Sequence, residues 1–225
     1  MQVADILSQL ESLADPEAVA GMAKFAVGGQ QTLGIAIPTL RKMAKEAGKN
    51  HELAQQLWGS GIHEARILAT MIDEPKKVTE AQMEAWVSQF DSWDLCDQCC
   101  LNLFRRTPFA YPKVYEWSSR SEEFVKRAAF ALMATLAVHD KQAGDDSFIP
   151  FLAVIQREAT DERNFVKKAV NWALRQIGKR NLSLNEAAIQ TAQEIQQLES
   201  KSARWIGADA LRELTSDKVR QRLRS

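Results

Sequence analysis

The segment Phe124-Val125-Lys126-Arg127-Ala128 returns 41 positions later as Phe165-Val166-Lys167-Lys168-Ala169, and Ala173-Leu174-Arg175-Gln176-Ile177 returns 37 positions later as Ala210-Leu211-Arg212-Glu213-Leu214. A period of this size constrains a chain more than any single motif, because each period must be one supersecondary unit that buries its apolar face against the next. Between the 10 glycines and 6 prolines lie segments rich in Ala, Leu, Glu, Gln, Lys and Arg, the composition of helices. Asp15-Pro16 reads as an N-cap followed by a proline at the first helical position, and Pro38 opens a helix that Gly48 closes. Alternating β-branched runs bounded by tight-turn signals are absent, so no sheet is expected. The expected fold is all-α, a curved α-solenoid of stacked two-helix HEAT-like repeats, with residues 1–225 forming one domain with a basic concave face. In this register Lys126/Arg127, Lys167/Lys168 and Arg204 fall at equivalent positions of successive inner helices and make a basic ladder. Chance similarity between Ala/Leu-rich helices is the competing explanation of the echoes.

At 225 residues the chain is long enough for a full core, and 45% hydrophobic with 26% charged residues excludes disorder as its main state. No run approaches the roughly 18 consecutive apolar residues of a membrane span. The first 25 residues carry Asp5, Glu11, Asp15 and Glu17 where a signal peptide would be basic and then apolar. A cytoplasmic protein without a membrane partner is expected. Cys96, Cys99 and Cys100 are odd in number, which rules out a disulfide framework and suits a reducing compartment. Cys96-x-x-Cys99 has a zinc-knuckle spacing, yet no second pair follows and His51, His63 and His139 are isolated. The three cysteines therefore read as small buried hydrophobes, and no metal is expected. Phosphate-cradling, dinucleotide, zinc-protease and serine-hydrolase motifs are absent, so neither a nucleotide nor an organic cofactor is expected, and the chain reads as a monomer.

Charge is segregated along the chain although it sums to zero. Residues 1–100 carry 8 Lys/Arg against 14 Asp/Glu, and residues 101–225 carry 21 against 15. The sharpest run holds Arg163, Lys167, Lys168, Arg175, Lys179 and Arg180 with no acid among them, a candidate footprint for a polyanion. A solvated helix face accounts for the same charge pattern equally well.

The most unusual segment is Phe90-Asp91-Ser92-Trp93-Asp94-Leu95-Cys96-Asp97-Gln98. Trp93 and Asp97 are four apart and share one helix face, an indole beside a carboxylate that would favour a cationic ligand, and Asp94 could substitute for Asp97. The structural alternative is that Asp91 or Ser92 caps the helix while Trp93 packs in the core. Trp172 counts against a purely structural reading, because it sits inside the basic run where a plain surface position would seldom hold an indole. Arg105-Arg106-Thr107-Pro108 reads as a helix exit, and Tyr111, Tyr115 and Trp117 as packing between repeats.

From about residue 20 to near the C-terminus the chain resembles the AlkD-like DNA alkylation repair family of HEAT-like-repeat alkylpurine DNA glycosylases. The resemblance is carried by Leu33-Gly34-Ile35-Ala36-Ile37-Pro38-Thr39-Leu40-Arg41, by Leu57-Trp58-Gly59-Ser60-Gly61-Ile62-His63-Glu64-Ala65-Arg66, and by Ser92-Trp93-Asp94-Leu95-Cys96-Asp97. It continues in Phe124–Ala128 and in Phe165-Val166-Lys167-Lys168-Ala169-Val170-Asn171-Trp172. It implies excision of cationic alkylpurines such as 3-methyladenine and 7-methylguanine from duplex DNA, without deep base flipping and without a cofactor. It further implies that Trp93 and Asp97 frame the lesion, Trp172 contacts the deoxyribose and Arg127 holds the backbone. With the charge pattern, the implied DNA-binding set is Lys126, Arg127, Arg163, Lys167, Lys168, Arg175, Lys179, Arg180 and Arg204. Two departures stand out: Ser92 replaces the first of two adjacent tryptophans, and the net charge is zero where a basic protein is expected. A module that binds damaged or branched DNA without cleaving it, or a protein-binding scaffold, are the alternative functions.

Overall fold

The computed structural model describes residues 2–29 and 31–224, which form α-helices and two short 3-10 turns, with no strand among the described residues. The chain divides into two compact units, Met1–Phe109 and Ala110–Ser225. No helix is long and apolar enough to cross a membrane among the described residues.

The first unit contains α1 (Val3–Ser12), α2 (Pro16–Ala23), α3 (Ile37–Ala47), α4 (His51–Gly59), α5 (His63–Ile72), α6 (Glu80–Val87) and α7 (Trp93–Asn102). Local chemistry fixes several of the ends. The Asp15 carboxylate accepts the N–H groups of Glu17 and Ala18, both at 3.0 Å, while Pro16 supplies the preset φ of the first turn of α2. Pro38 lies in the first turn of α3, and Gly48 ends that helix at φ 71°, a conformation an L side chain seldom adopts. Helix α5 packs against α3, α4 and α7, and its buried residues include Ala65, Ile67, Leu68, Ala69 and Ile72. Trp58 and Trp86 stack face to face with centroids 3.9 Å apart, and the Arg66 guanidinium lies 5.5 Å from the Trp58 ring. Cys96, Cys99 and Cys100 are free thiols at full burial on α7, filling the core as small apolar groups, and burial pushes the Cys99 thiol well up.

The second unit contains α8 (Ala110–Ser118), α9 (Glu123–His139), α10 (Ile149–Glu158), α11 (Asn164–Gly178), α12 (Leu182–Gln196), α13 (Lys201–Leu214) and α14 (Asp217–Arg224). It is built in two layers: α8, α10 and α12 pack in order in one, and α9, α11 and α13 in the other. The echoed residues occupy equivalent places in that stack. Val125 of α9, Val166 of α11 and Ala203 of α13 are all buried, and the rings of Phe124 and Phe165 meet at 5.5 Å. Tyr111 and Tyr115 flank Phe151 at 5.9 and 5.6 Å, and Trp117 is fully buried, so this aromatic group does pack between helix pairs.

Polar bonds repeat with the helices. Arg127 reaches the Phe165 carbonyl, Gln156 reaches Glu194, Asn171 reaches Asp209, Arg175 reaches Glu213 and Ser200 reaches Glu162, each pair 38 positions apart. In the first unit the corresponding spacing is 31: Leu33 to Glu64, Trp58 to Gln89 and His63 to Asp94.

Two glycines set how closely the last repeats approach. A Cβ on Gly207 would lie 2.6 Å from the Ala192 carbonyl oxygen, and one on Gly178 would lie 2.7 Å from a Leu214 methyl group and 2.8 Å from the Ala188 Cβ. At Gly207 the obstacle is backbone, which yields only if a helix moves. Gly207→Ala is therefore expected to lower unfolding stability by about 1–3 kcal/mol. Urea unfolding checks this, and a change below about 0.5 kcal/mol would show that α12 and α13 are not held at contact distance.

Candidate functional site

Two acids hold the loop between α2 and α3, one to α5 and the other to the start of α7. Glu64, fully buried on α5, accepts the backbone N–H groups of Leu33 at 2.9 Å, Gly34 at 2.7 Å and Ile35 at 3.3 Å. A carboxylate taken out of water needs such partners, and this one in turn fixes the path of the loop. Gly34 is required there: its φ is 83°, and a Cβ would meet the Asp15 carbonyl oxygen at 2.4 Å.

Asp94 makes the second tie. One of its oxygens accepts the Gly28 N–H at 3.2 Å and the other sits 2.7 Å from Nε2 of His63, itself buried on α5. Burial opposes ionisation of Asp94, but the hydrogen bond and charge of His63 and the Gly28 N–H outweigh it, so the carboxyl sits below the usual aspartate range. Both oxygens are thus engaged, one by the loop and the other by α5. This corrects the expectation that Asp94 could substitute for Asp97: its position in the first turn of α7 points it to structure.

Trp93 is not a core residue. It opens α7, is half-buried, and its indole N–H donates to the Phe25 carbonyl at 3.0 Å. Phe25 is 73% exposed, and the next residue, Ala26, has a φ of 50°. Ser92 stands at the N-cap of α7, but its side chain makes no capping bond. Asp97 lies one turn beyond Trp93, half-buried and on the same side of the helix. An indole whose edge is fixed by the backbone and a carboxylate one turn away form a compact pair for a ligand that is cationic or becomes so.

The basic residues occupy the second unit, and most are answered by partners inside it. Lys126 meets Glu158 at 2.6 Å, and Arg163 meets Asp161 and the Ser121 carbonyl, each at 2.5 Å. Arg175 meets Glu213 at 2.6 Å, and Lys179 reaches the same carboxylate at 2.5 Å. Burial opposes ionisation of Glu213, and the two cations outweigh it and hold its carboxyl below the usual range. Arg180 donates to the carbonyls of Ala137 and Ala143 with its guanidinium 4.4 Å from the Phe148 ring. Arg127 is buried, with Nη1 donating to the Phe165 carbonyl at 2.7 Å. Two of the acids absent from the basic run, Asp209 and Glu213, are therefore supplied by the next repeat, while Asp161 just before the run answers Arg163. Lys168 and Arg204 are exposed, Lys167 lies over the Trp205 ring, and Trp172 is half-buried four residues after Lys168 on α11.

Sequence reasoning missed Phe25, Gly28 and the roles of His63 and Glu64. The last two fell within a recognised segment, but nothing in that segment said which backbone groups they would meet. Phe25 carries no pattern at all, since its part in the site is its carbonyl.

A family model described as DNA alkylation repair enzyme matches residues 6–214. No curated protein matches the chain. Among solved structures, the chain is similar to one described as a new family of proteins related to the HEAT-like repeat DNA glycosylases with affinity for branched DNA structures. That likeness has a TM-score of 0.80 at 20% identity and covers 99% of this chain and 96% of the other. A designed armadillo repeat protein in complex with a (KR)4 peptide overlaps at a TM-score of 0.40 and 14% identity, over 82% of this chain and 88% of that one. The first likeness shows the fold, an all-α HEAT-like repeat.

Release of the Asp94 tie has a defined signature. Asp94→Asn keeps the shape but removes the charge, and it is expected to speed amide exchange at Gly28 and lower stability by about 1–3 kcal/mol. Because the carboxyl is depressed in the folded state, its contribution is present above the ordinary aspartate range and is lost as pH falls through the lower folded value. Wild type and variant should therefore converge in stability in acid. Exchange mass spectrometry and urea melts at two pH values check this, and equal exchange at Gly28 at neutral pH would remove the tie.

Proposed function

The chain belongs to the DNA alkylation repair enzyme family, and on that premise we propose that it is a monofunctional DNA glycosylase for cationic alkylated purines. The observation that carries this reading is the pair on α7: Trp93, oriented through its N–H by the Phe25 carbonyl, and Asp97 one turn on, with the neighbouring Asp94 committed to His63 and Gly28.

The chemistry needs little more. A purine alkylated at N3 or N7 carries a formal positive charge and leaves as a neutral base, so no general acid is required. As the C1′–N bond lengthens, positive charge moves onto the sugar, and a carboxylate already in place stabilises that charge without reorganisation. In this reading Asp97 supplies the carboxylate and orients the water that adds to C1′. The indole face of Trp93 adds attraction that grows as the sugar becomes cationic. Base-processing enzymes commonly extrude their target into a pocket. Here the lesion stays stacked, and phosphate contacts from Lys167, Lys168 and Arg204 hold the duplex, with Lys126, Arg127, Arg163, Arg175, Lys179 and Arg180 fixing the helices that carry them.

One observation favours a second reading, a module that binds DNA without cutting the glycosidic bond. Three of the six cations of the basic run, Arg163, Arg175 and Lys179, are paired with acids inside the unit, as is Lys126, and the net charge is zero, so duplex affinity from phosphate neutralisation would be modest. The structural relative is described by its affinity for branched DNA structures, which fits either reading.

Single-turnover release of 7-methylguanine and 3-methyladenine from methylated duplex DNA separates the two. Wild type is expected to release both bases, and Asp97→Asn to lose at least about 100-fold in rate while keeping its duplex affinity within about threefold. Salt-dependent binding without release by wild type would favour the binding module, and absence of both would leave a protein scaffold.

A further inference from the structure

Of the six tryptophans, only Trp205 falls among the exposed large hydrophobic residues, at 42% exposure on α13. Trp58, Trp86 and Trp117 are buried, and Trp93 and Trp172 are half-buried. The exposed part of this indole is a flat, rigid π surface with a polar edge, a group enriched where proteins meet ligands and partners. Its surroundings say which kind. The Lys167 ammonium of α11 lies 5.2 Å from the ring centroid and braces the indole. Lys201, one turn earlier on α13, and Arg204, its immediate neighbour, are exposed, as is Lys168 on α11.

The acids nearby offset only part of this charge. Asp209, one turn after Trp205, accepts Asn171 at 2.7 Å and pairs with Arg175 and Arg212. Glu162 accepts the Ser200 hydroxyl at 2.8 Å and the Ser202 N–H at 3.1 Å, and its charge also acts on Lys167. The Lys167 ammonium thus lies against the indole, Lys201 and Arg204 are exposed on the same helix within one turn of it, and Asp209 is already bound by Arg175 and Arg212. Neither Trp205 nor Lys201 belongs to the catalytic pair or to the residues implied by the family resemblance.

A flat π surface with cations close by is the chemistry that binds a nucleobase together with its flanking phosphates. A base inside an intact duplex has both faces covered by its neighbours and cannot use such a surface, whereas an unpaired base can. We propose that Trp205, with Lys167, Lys201 and Arg204, is a stacking site for an unpaired nucleobase, so that DNA with a gap, flap or fork is held at α13 in addition to any duplex grip. The inference rests on DNA being the partner, as in the function proposed above. An acidic peptide would satisfy the cations but gains nothing specific from the indole face.

The test uses the full chain and three probes of common sequence: an intact duplex, the same duplex extended by a single-stranded thymidine tail, and the tail strand alone, each followed by fluorescence anisotropy. Trp205→Leu keeps apolar bulk and removes the π face, and Trp205→Phe keeps a ring. Wild type is expected to prefer the tailed duplex to the intact one by about tenfold. Trp205→Leu should erase that preference while changing duplex affinity by less than about twofold, and Trp205→Phe should retain most of it. Duplex binding with no gain from the tail, or an equal loss on both probes in Trp205→Leu, overturns the stacking site and leaves the DNA reading intact. No binding to any probe by wild type overturns both. Thermal melts of the two variants establish that they are folded, and since the ring is exposed their melting temperatures should match wild type within a few degrees.

Discussion

A two-helix repeat buries one apolar face within itself and leaves another to be covered by its neighbour, and in residues 110–225 that requirement is met together with a polar one. Residues 38 positions apart bond across the stack, Arg127 to the Phe165 carbonyl, Asn171 to Asp209 and Arg175 to Glu213, so each helix pair is held in register by the next. Register and approach distance are coupled, because Gly178 and Gly207 let α11, α12 and α13 come close enough for those bonds to form. The same bonds decide the electrostatics. Arg175 and Lys179, which look like part of a continuous basic run, are consumed in holding repeats together, while Lys168 on α11, Arg204 on α13 and Lys218 and Arg220 on α14 stay exposed.

The first unit solves a different problem. Its loop between α2 and α3 has no helix of its own, and its backbone N–H groups need acceptors. Glu64 supplies three bonds from a fully buried position, and Asp94 supplies one while holding His63. Taking the Glu64 carboxylate fully and the Asp94 carboxylate largely out of water is costly unless they are saturated in this way, and saturation ties the loop to α5 and α7. The functional gain is positional. With the loop fixed, the Phe25 carbonyl holds the edge of Trp93, and the orientation of the indole does not depend on a ligand.

Asp15-Pro16 and Pro38 with Gly48 marked helix ends because capping and proline geometry act within a few residues. The echoes of Phe124–Ala128 and Ala173–Ile177 marked the repeat because equivalent core positions demand equivalent side chains, and Val125 and Val166 are both buried. The first unit gave no such echo, although its bonds recur at a spacing of 31, because its partners are chemically unlike: a carboxylate with amides, an indole with a glutamine, an imidazole with a carboxylate. Asp94 and Asp97 could not be told apart in sequence, since both lie near the Trp93 face of one helix. His63 and Gly28 separate them, and they lie 31 and 66 positions away.

The amino-acid sequence by itself determined the helices, their pairing into repeats, the burial of the cysteines on α7 and the face shared by Trp93 and Asp97, because these follow from spacing within one helix or between like helices. Only the tertiary structure decided which charges remain available, which aspartate is spent on the loop, and that Phe25 and Trp205 stand exposed. Each of those outcomes depends on where a partner tens of residues away comes to rest, and a local pattern carries no record of that distance.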